Sequence, residues 1–186
     1  MRHKSFDAMP CPIARSLERV GEWWSMLILR DALHGMTRFD QFQKSLGIAP
    51  NMLTRRLDAL VEAGLLARQR YSEHPPRFEY VPTPRGRDFK PVLIALLAWG
   101  NRHFAPEGES VVLIDKRTGA AVEPTLVDAG SGRPITDADH CFAAGPAAPQ
   151  RTRLRYAASG RGATAEHRKA AGRPTRSRGR SGAAGR

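Results

Sequence analysis

The chain has 186 residues, which is enough for one substantial core with a small appendage. Its two cysteines are too few for a disulfide framework, and no apolar run reaches the roughly 20 residues that a membrane-spanning helix needs. The N-terminus also lacks the apolar stretch of a secretion signal. These features predict a soluble cytoplasmic protein with no membrane partner.

The net charge of +12 is typical of a protein with a polyanionic partner, but it is unevenly distributed. Residues 1–104 carry 16 Lys/Arg and 10 Asp/Glu, residues 105–149 carry 3 and 7, and residues 150–186 carry 11 and 1. Most of the excess lies in the last 37 residues. The total charge therefore says little about what the folded part binds.

Changes in composition divide the chain into an N-terminal arm (1–10), a periodic apolar region (11–104), short β-like runs (105–145) and an Arg/Ala/Gly-rich tail (146–186). The tail has almost no large apolar residue, so it cannot bury enough surface to offset the entropy of ordering and is predicted to be disordered. Two interpretations of its arginines stay open. They bind phosphates regardless of sequence, or the tail is a dispensable solvated extension.

Local signals predict the first two helices. Pro12, directly after Cys11, begins the first helix, because proline lacks the amide that would be unpaired at that position. Gly21 ends this helix. The second helix carries Trp23 and Trp24 in phase with other apolar residues, which predicts that both indoles lie in the core.

Thr37 is predicted to cap the third helix, with Asp40 three residues later in a variant of the capping box. Gly47 then supplies a sharp turn, and Pro50 begins a fourth helix that Gly64 closes. The predicted inner face of the fourth helix is Leu53, Leu57, Leu60 and Val61. Its predicted outer face is Asn51, Thr54, Arg55, Asp58 and Glu62.

Two extended runs, 65–71 and 77–81, are joined by a polar link and predict a β-hairpin. Thr83 and Pro84 then repeat the cap-and-proline start of a helix that continues to Phe104. Pro91 lies inside that last helix and should kink or split it.

A short helix, a glycine turn, a second helix and a hairpin form the ordered set of a winged helix-turn-helix, a mainly α fold with a small β wing (α+β). Pairs of amphipathic helices occur in many folds that bind no nucleic acid. The prediction of DNA binding therefore rests on the complete order of helices, turn and hairpin. The major groove of B-DNA admits one helix with a polar and basic outer face. The candidate DNA contacts of the recognition helix are Pro50, Asn51, Met52, Thr54, Arg55 and Arg56. The candidate backbone and wing contacts are Thr37, Arg38, His74 and Arg77.

Several segments resemble the HxlR-type transcriptional regulators, which have a MarR-like winged helix. They are residues 11–31, 36–43 (MTRFDQFQ), 47–57 (GIAPNMLTRRL), 60–66 (LVEAGLL), 75–80 (PPRFEY) and 83–87 (TPRGR). The resemblance implies a bacterial regulator that binds a near-palindromic operator in double-stranded DNA. It also implies a homodimer formed through the first and last helices of residues 11–104. Ala49 departs from the serine that is common before Pro50, and the lost cap costs about 1 kcal/mol.

Cys11 has two interpretations. Several members of the resembled family use a cysteine at this place to sense oxidants or electrophiles, and a helix N-terminus favours the reactive thiolate. This is the alternative function, a redox-responsive switch with an oxidant as its effector. The other interpretation is a small structural residue at the start of the first helix. Cys141 lies in a different region and is not a convincing partner.

Residues 112–122 and 125–135 form a weak internal repeat, because each has an apolar run, an aspartate (Asp115, Asp128), a glycine (Gly119, Gly132) and a second run. Each repeat predicts a β-hairpin, and together they could form a small sheet beside the winged helix. A module that senses a small molecule, a dimer support and a stabilising flap remain open as roles. In some members of the resembled family this extension resembles a zinc ribbon. Here the one nearby Cys–His pair, Cys141 and His140, is too few for a four-ligand site, so we expect no metal or other cofactor.

An enzyme is a less supported class, since we find no phosphate loop, nucleophile elbow or metal-ligand cluster, and we predict no catalytic residue. A protein-interaction module that uses the winged helix as a docking surface is the remaining alternative. Reversing the charges of Arg55 and Arg56 separates that module from a DNA-binding protein.

Overall fold

The structure is a computed structural model that describes residues 5–157. These residues belong to two compact units, Met1–Ile135 and Thr136–Arg186. The described part of the first unit contains α1 (Pro12–Val20), α2 (Trp23–Leu33), α3 (Phe39–Leu46), α4 (Pro50–Glu62), β1 (Leu66–Ser72), β2 (Arg77–Pro82), α5 (Pro84–Arg87) and α6 (Lys90–Phe104). The predicted order of helices and hairpin is confirmed.

Helix α1 begins and ends where the sequence predicts. Pro12 lies in its first turn, and the amide of Gly21 donates to the carbonyl of Leu17 at 2.7 Å. The core prediction for the next helix is wrong for Trp23, whose surface is 85% exposed, whereas Trp24 packs against the core. Because successive helical residues are about 100° apart, only one of two adjacent indoles faces the interior.

The start of α3 differs from the prediction that Thr37 caps it. Arg38 occupies the N-cap position, and the carboxamide oxygen of Gln41 accepts from the amides of both Thr37 and Arg38 at 3.0 Å. Gln41, rather than Asp40, therefore supplies the contact of the capping box. Gly47 ends the helix with a φ of 61° and so makes the predicted turn into α4.

One hydrophobic core joins the helix-turn-helix to the wing. Leu53, Leu57 and Leu60 of α4 have 0% exposure, which confirms the predicted inner face, while Val61 is only partly buried. The other apolar members of this core are Val20, Ile28, Leu29, Ala32, Phe42, Ile48, Leu65, Leu66 and Tyr80.

A buried carboxylate ties α2 to α3. Asp31 is 3% exposed, and its two carboxylate oxygens accept from the hydroxyl of Ser45 at 2.7 Å and from Nε of Arg30 at 2.8 Å. Burial of a charge is costly unless hydrogen bonds replace the lost water. These bonds supply that replacement and connect the two helices at a defined point.

The wing is the antiparallel pair of β1 and β2, in which Arg68 faces Tyr80. An isolated bridge joins Arg38 to Glu79, and the amide of Tyr80 donates to the carbonyl of Thr37 at 2.7 Å. The residues just before α3 therefore pair with the middle of β2.

The long C-terminal helix of the domain is split, as Pro91 predicts. The chain forms α5 and then α6, with the break at Asp88 and Phe89. None of the residues of α6 is buried in this chain. Its exposed large apolar side chains are Val92, Leu96, Trp99 and Phe104.

The repeat that follows α6 forms two similar turns. The carboxylates of Asp115 and Asp128 each accept from two backbone amides that follow them, at 2.7–3.2 Å. This confirms the two predicted hairpin turns. Within the described residues the hairpins do not form a sheet, because each is closed by a single isolated bridge, Ile114–Ala121 or Val127–Pro134.

The residues that flank the first repeat contact α6. Asn101 Nδ2 donates to the carbonyl of Val111 at 2.9 Å, and Arg102 pairs with Glu123 at 2.9 Å. A cavity of about 470 Å³ lies between α6 and residues 109–124 and has a mixed polar and apolar lining. Its volume is within the range of small-molecule sites. The role of this extension stays a prediction.

The second unit includes a helical stretch at residues 150–157. Arg153 donates to the carbonyls of Pro146 at 3.0 Å and Ala148 at 2.8 Å, which links this stretch to the segment before it. The structure therefore differs here from the predicted disordered tail of residues 146–186. Residues 158–186 of that prediction, like residues 1–4 of the N-terminal arm, lie outside the described residues.

Candidate nucleic-acid interface

The outer face of α4 is polar and exposed, as predicted. Asn51, Thr54 and Arg55 of its first turns are exposed, as are Asp58 and Glu62 further along. Asn51 and Arg55 are four residues apart and therefore share a face. The three leucines on the opposite side hold the helix in the core, so this polar face is presented outward without any change in packing.

Two residues at the start of α4 restrict what its side chains can do. Ala49 occupies the N-cap position and makes no side-chain capping bond. The hydroxyl of Thr54 donates to the carbonyl of Pro50 at 3.0 Å, which occupies its only donor. Asn51 and Arg55 therefore carry the available donors of this face, and a base edge or phosphate would need Thr54 to change partners. Met52, a further predicted contact, is partly buried against the core.

Arg56 lies apart from this face. Its side chain is only 22% exposed, and its Nη2 is 3.4 Å from Oε2 of Glu22 at the N-terminus of α2. The sequence places Arg56 among the candidate DNA contacts but does not reveal this partner, because no local signal connects residues on two different helices.

The wing and the segment that pairs with it add a second group of basic residues. Arg77 and His74 are exposed, as expected for the tip. Arg38 is exposed, and its guanidinium lies 4.8 Å from the ring centre of Tyr71 on β1. Thr37 contributes backbone groups to α3 and β2, and its side chain is partly buried.

Sequence reasoning missed two arginines of β1. Arg68 is exposed and lies 3.8 Å over the ring of Phe78, and Arg70 is paired with Glu73 at 3.1 Å. The alternation of a strand places Arg68 and Arg70 on one side, so the signal was present in the spacing. Arg68 thus increases the positive charge of the wing, while the charge of Arg70 is partly balanced by its neighbour.

Tyr80 marks where the wing meets α4. Burial raises the pKa of the Tyr80 phenol above its usual value of 10.0; the positive charge of Arg68 lowers it, and the negative charge of Asp58 raises it. The charges of Arg68 on β1 and Asp58 on α4 therefore both affect the pKa of the buried Tyr80. Leu57 and Leu60 of α4 belong to the same core as Leu66 and Tyr80, so the wing packs beside α4.

Cys11 occupies the N-cap position of α1, is partly exposed and makes no side-chain capping bond. Cys141 is exposed and belongs to the other unit. The redox hypothesis for Cys11 stays a prediction. Residues 5–157 contain no group of three or more His, Cys, Asp or Glu that could hold a metal ion. The same residues include no helix that is long and apolar enough to cross a bilayer.

The geometry is that of a winged helix-turn-helix DNA-binding domain, in which a short helix, a left-handed glycine and a second helix present polar groups beside a β wing. The family model described as HxlR-like helix-turn-helix matches residues 19–108. The chain belongs to this family of transcriptional regulators, and the predicted resemblance is confirmed.

Named relatives agree with this assignment. The uncharacterized HTH-type transcriptional regulator Rv3095 of Mycobacterium tuberculosis is 41% identical over 125 residues, 67% of this chain and 79% of that protein. PA1374, a proposed transcription factor from Pseudomonas aeruginosa with a solved structure, is 58% identical, with a TM-score of 0.58 over 78% of this chain and 99% of that one. PA1607, another proposed transcription factor, is 39% identical, with a TM-score of 0.67 over 75% and 99% of the two chains.

Proposed function

We propose that this protein regulates transcription as a homodimer that places two copies of α4 in successive major grooves of a near-palindromic operator. The observation that carries the proposal is the exposed polar face of α4, formed by Asn51, Thr54 and Arg55 and backed by three buried leucines. An asparagine side chain can form two hydrogen bonds with the major-groove edge of adenine, and an arginine can donate two to the acceptors of guanine. Exposed Arg38, Arg68 and Arg77 around the wing would bind the phosphate backbone.

The exposed apolar residues of two helices support a dimer. In α1, Ile13 is 63% exposed and Leu17 is 44% exposed. In α6, Val92 is 51%, Leu96 45% and Trp99 54% exposed. These residues are spaced three or four positions apart and so form an exposed apolar stripe on each helix, which is characteristic of an interface, and homodimer interfaces are the more apolar ones. We therefore assign the dimer contacts to α1 and α6, as the resemblance implies.

The DNA-binding part is tested by anisotropy titration of the full chain with a labelled duplex from the region upstream of its own gene, against a random duplex at about 150 mM salt. Arg55→Gln should weaken operator binding by about tenfold or more. Arg117→Gln removes the same charge from an exposed turn residue of the extension and should leave binding unchanged. Equal affinity for operator and random duplex, or no effect of Arg55→Gln, would contradict the proposal.

The dimer is tested separately by sedimentation equilibrium. Leu96→Asp should shift the protein to monomer without unfolding it, because Leu96 is 45% exposed in the single chain. Tyr71→Asp replaces a comparably exposed wing residue, 40%, and should leave the association state unchanged. A Leu96→Asp protein that remains a dimer would exclude α6 from the interface.

A further inference from the structure

Within residues 5–157, Nε of Arg56 is the one buried side-chain nitrogen or oxygen that lacks a hydrogen-bond partner. Nη2 of Arg56 is 3.4 Å from Oε2 of Glu22, and the Arg56 side chain is 22% exposed while that of Glu22 is 58% exposed. The guanidinium is thus partly enclosed by protein, with its charge turned towards a carboxylate on another helix.

The position of Arg56 on α4 explains why its guanidinium is turned towards Glu22. It follows Leu53 by three residues and precedes Leu60 by four, so it borders the buried stripe of α4. Arg55 is one residue earlier and therefore about 100° away on the helix surface, on the side of Asn51. Two adjacent arginines in the same helix consequently have different surroundings.

Glu22 is the partner of this charge. It is the N-cap residue of α2, where the amide ends of a helix favour a negative charge. The Glu22 side chain makes no capping hydrogen bond, so its contact with the guanidinium of Arg56 is the interaction that the structure gives its carboxylate. The pair connects the recognition helix to α2, a helix that lies outside the helix-turn-helix itself.

We infer that Arg56 is a positioning residue that makes no contact with phosphate, and that its ion pair with Glu22 sets the rotation of α4 relative to the groove. The inference rests on the proposed DNA-binding function. It assigns different roles to the two adjacent arginines, Arg55 and Arg56. Arg55 contacts DNA, whereas Arg56 stays bound to Glu22 in the complex. For Arg56 to reach a phosphate, it would have to leave a carboxylate unpaired beside the negatively charged DNA.

Salt dependence separates these two roles. Each phosphate that a protein neutralises adds about 0.9 to the slope of log affinity against log salt, so one lost contact per protomer lowers the slope of a homodimer by about 1.8. We expect Arg56→Met to weaken operator binding by about three- to tenfold at an unchanged slope. Glu22→Gln should weaken it by a similar factor, and the double variant should be no weaker than either single variant.

Two controls accompany these variants. Arg55→Met removes an exposed arginine from the same helix and should lower the slope or abolish the preference for operator over random duplex. Glu62→Gln removes a carboxylate from an exposed position at the end of α4 and corrects for the general effect of losing negative charge near DNA. Circular dichroism of each variant confirms that it is folded.

Three results would overturn the inference: a slope reduced by about 1.8 in Arg56→Met, tighter binding by Glu22→Gln than by Glu62→Gln, or an Arg56→Met protein that binds as the parent does. The first two would make Arg56 a phosphate ligand that Glu22 restrains. If the parent protein shows no preference for its operator, the proposed function fails instead, and the two failures are therefore distinguishable.

Discussion

Gly86 is a position where one added methyl group should destabilise the whole domain. A Cβ built on Gly86 would approach the carbonyl oxygen of Leu65 to well under 3.0 Å, and it would lie 3.1 Å from the carbonyl carbon. That carbonyl cannot easily move, because it accepts from the amide of Thr83 at 3.1 Å. The close approach holds the start of α5 against the beginning of β1.

Gly86→Ala should therefore behave as an overpacked core substitution and cost about 1–3 kcal/mol of the free energy of unfolding. For a chain of this length each kcal/mol lowers Tm by about 2–4 °C. The measurement is urea unfolding followed by circular dichroism, at one fixed protein concentration, because a dimer would make stability depend on concentration. We expect a lower midpoint with an unchanged slope against urea.

Gly130→Ala is the matched control. A Cβ on Gly130 meets only the carboxylate of Asp128, at an ordinary 3.6 Å. The equivalent position in the other turn of the extension is occupied by Arg117, so a side chain is already accepted there. Gly130→Ala should be neutral or stabilising by about 0.4–1 kcal/mol. Equal stability of Gly86→Ala and the parent would refute the reasoning from the Leu65 contact.

Three further predictions concern the core, a cap and an exposed turn. Leu57→Ala, at a side chain with 0% exposure, should cost about 2–5 kcal/mol in urea unfolding, and a loss below 1 kcal/mol would mean that the core collapses around the gap. Thr83→Val should cost about 0.5–2 kcal/mol by the same measurement, because the hydroxyl both donates to the carbonyl of Gly64 at 2.7 Å and accepts from the amide of Gly86 at 3.1 Å. Hydrogen bonds from the amides of Thr118 and Arg117 lower the pKa of Asp115 below its usual 3.8. The turn that Asp115 begins should therefore be intact above pH 3.8, and it should open only as the pH falls through the lower pKa that Asp115 has in the folded protein. NMR titration of the Asp115 carboxyl carbon checks this, and a midpoint at or above 3.8 would contradict it.

The helices and the wing follow largely from short-range signals. Pro12, Gly21, Gly47 and Pro50 stand where backbone geometry permits a helix to begin or end, and the leucine spacing of α4 identifies its buried face. Each of these features depends on residues within about one helical turn. The family resemblance adds the order of the elements, and the family match confirms it over residues 19–108.

The pairing of side chains across elements required the tertiary structure. Trp23 belongs to an apolar pattern, yet it is exposed, because the rotation of α2 against the core selects Trp24. Gln41 replaces Thr37 as the capping group, since the chain before α3 is already held by Tyr80 of the wing.

In the recognition helix, too, some features follow from the sequence and others from the tertiary structure. Its sequence determines which positions of α4 are polar and which are apolar. Only the packing of α2 against α4 decides that Arg55 is exposed while Arg56 is paired with Glu22. The physical reason is that periodicity sets the face of a residue within its own helix, whereas its partner depends on how separate helices pack in three dimensions.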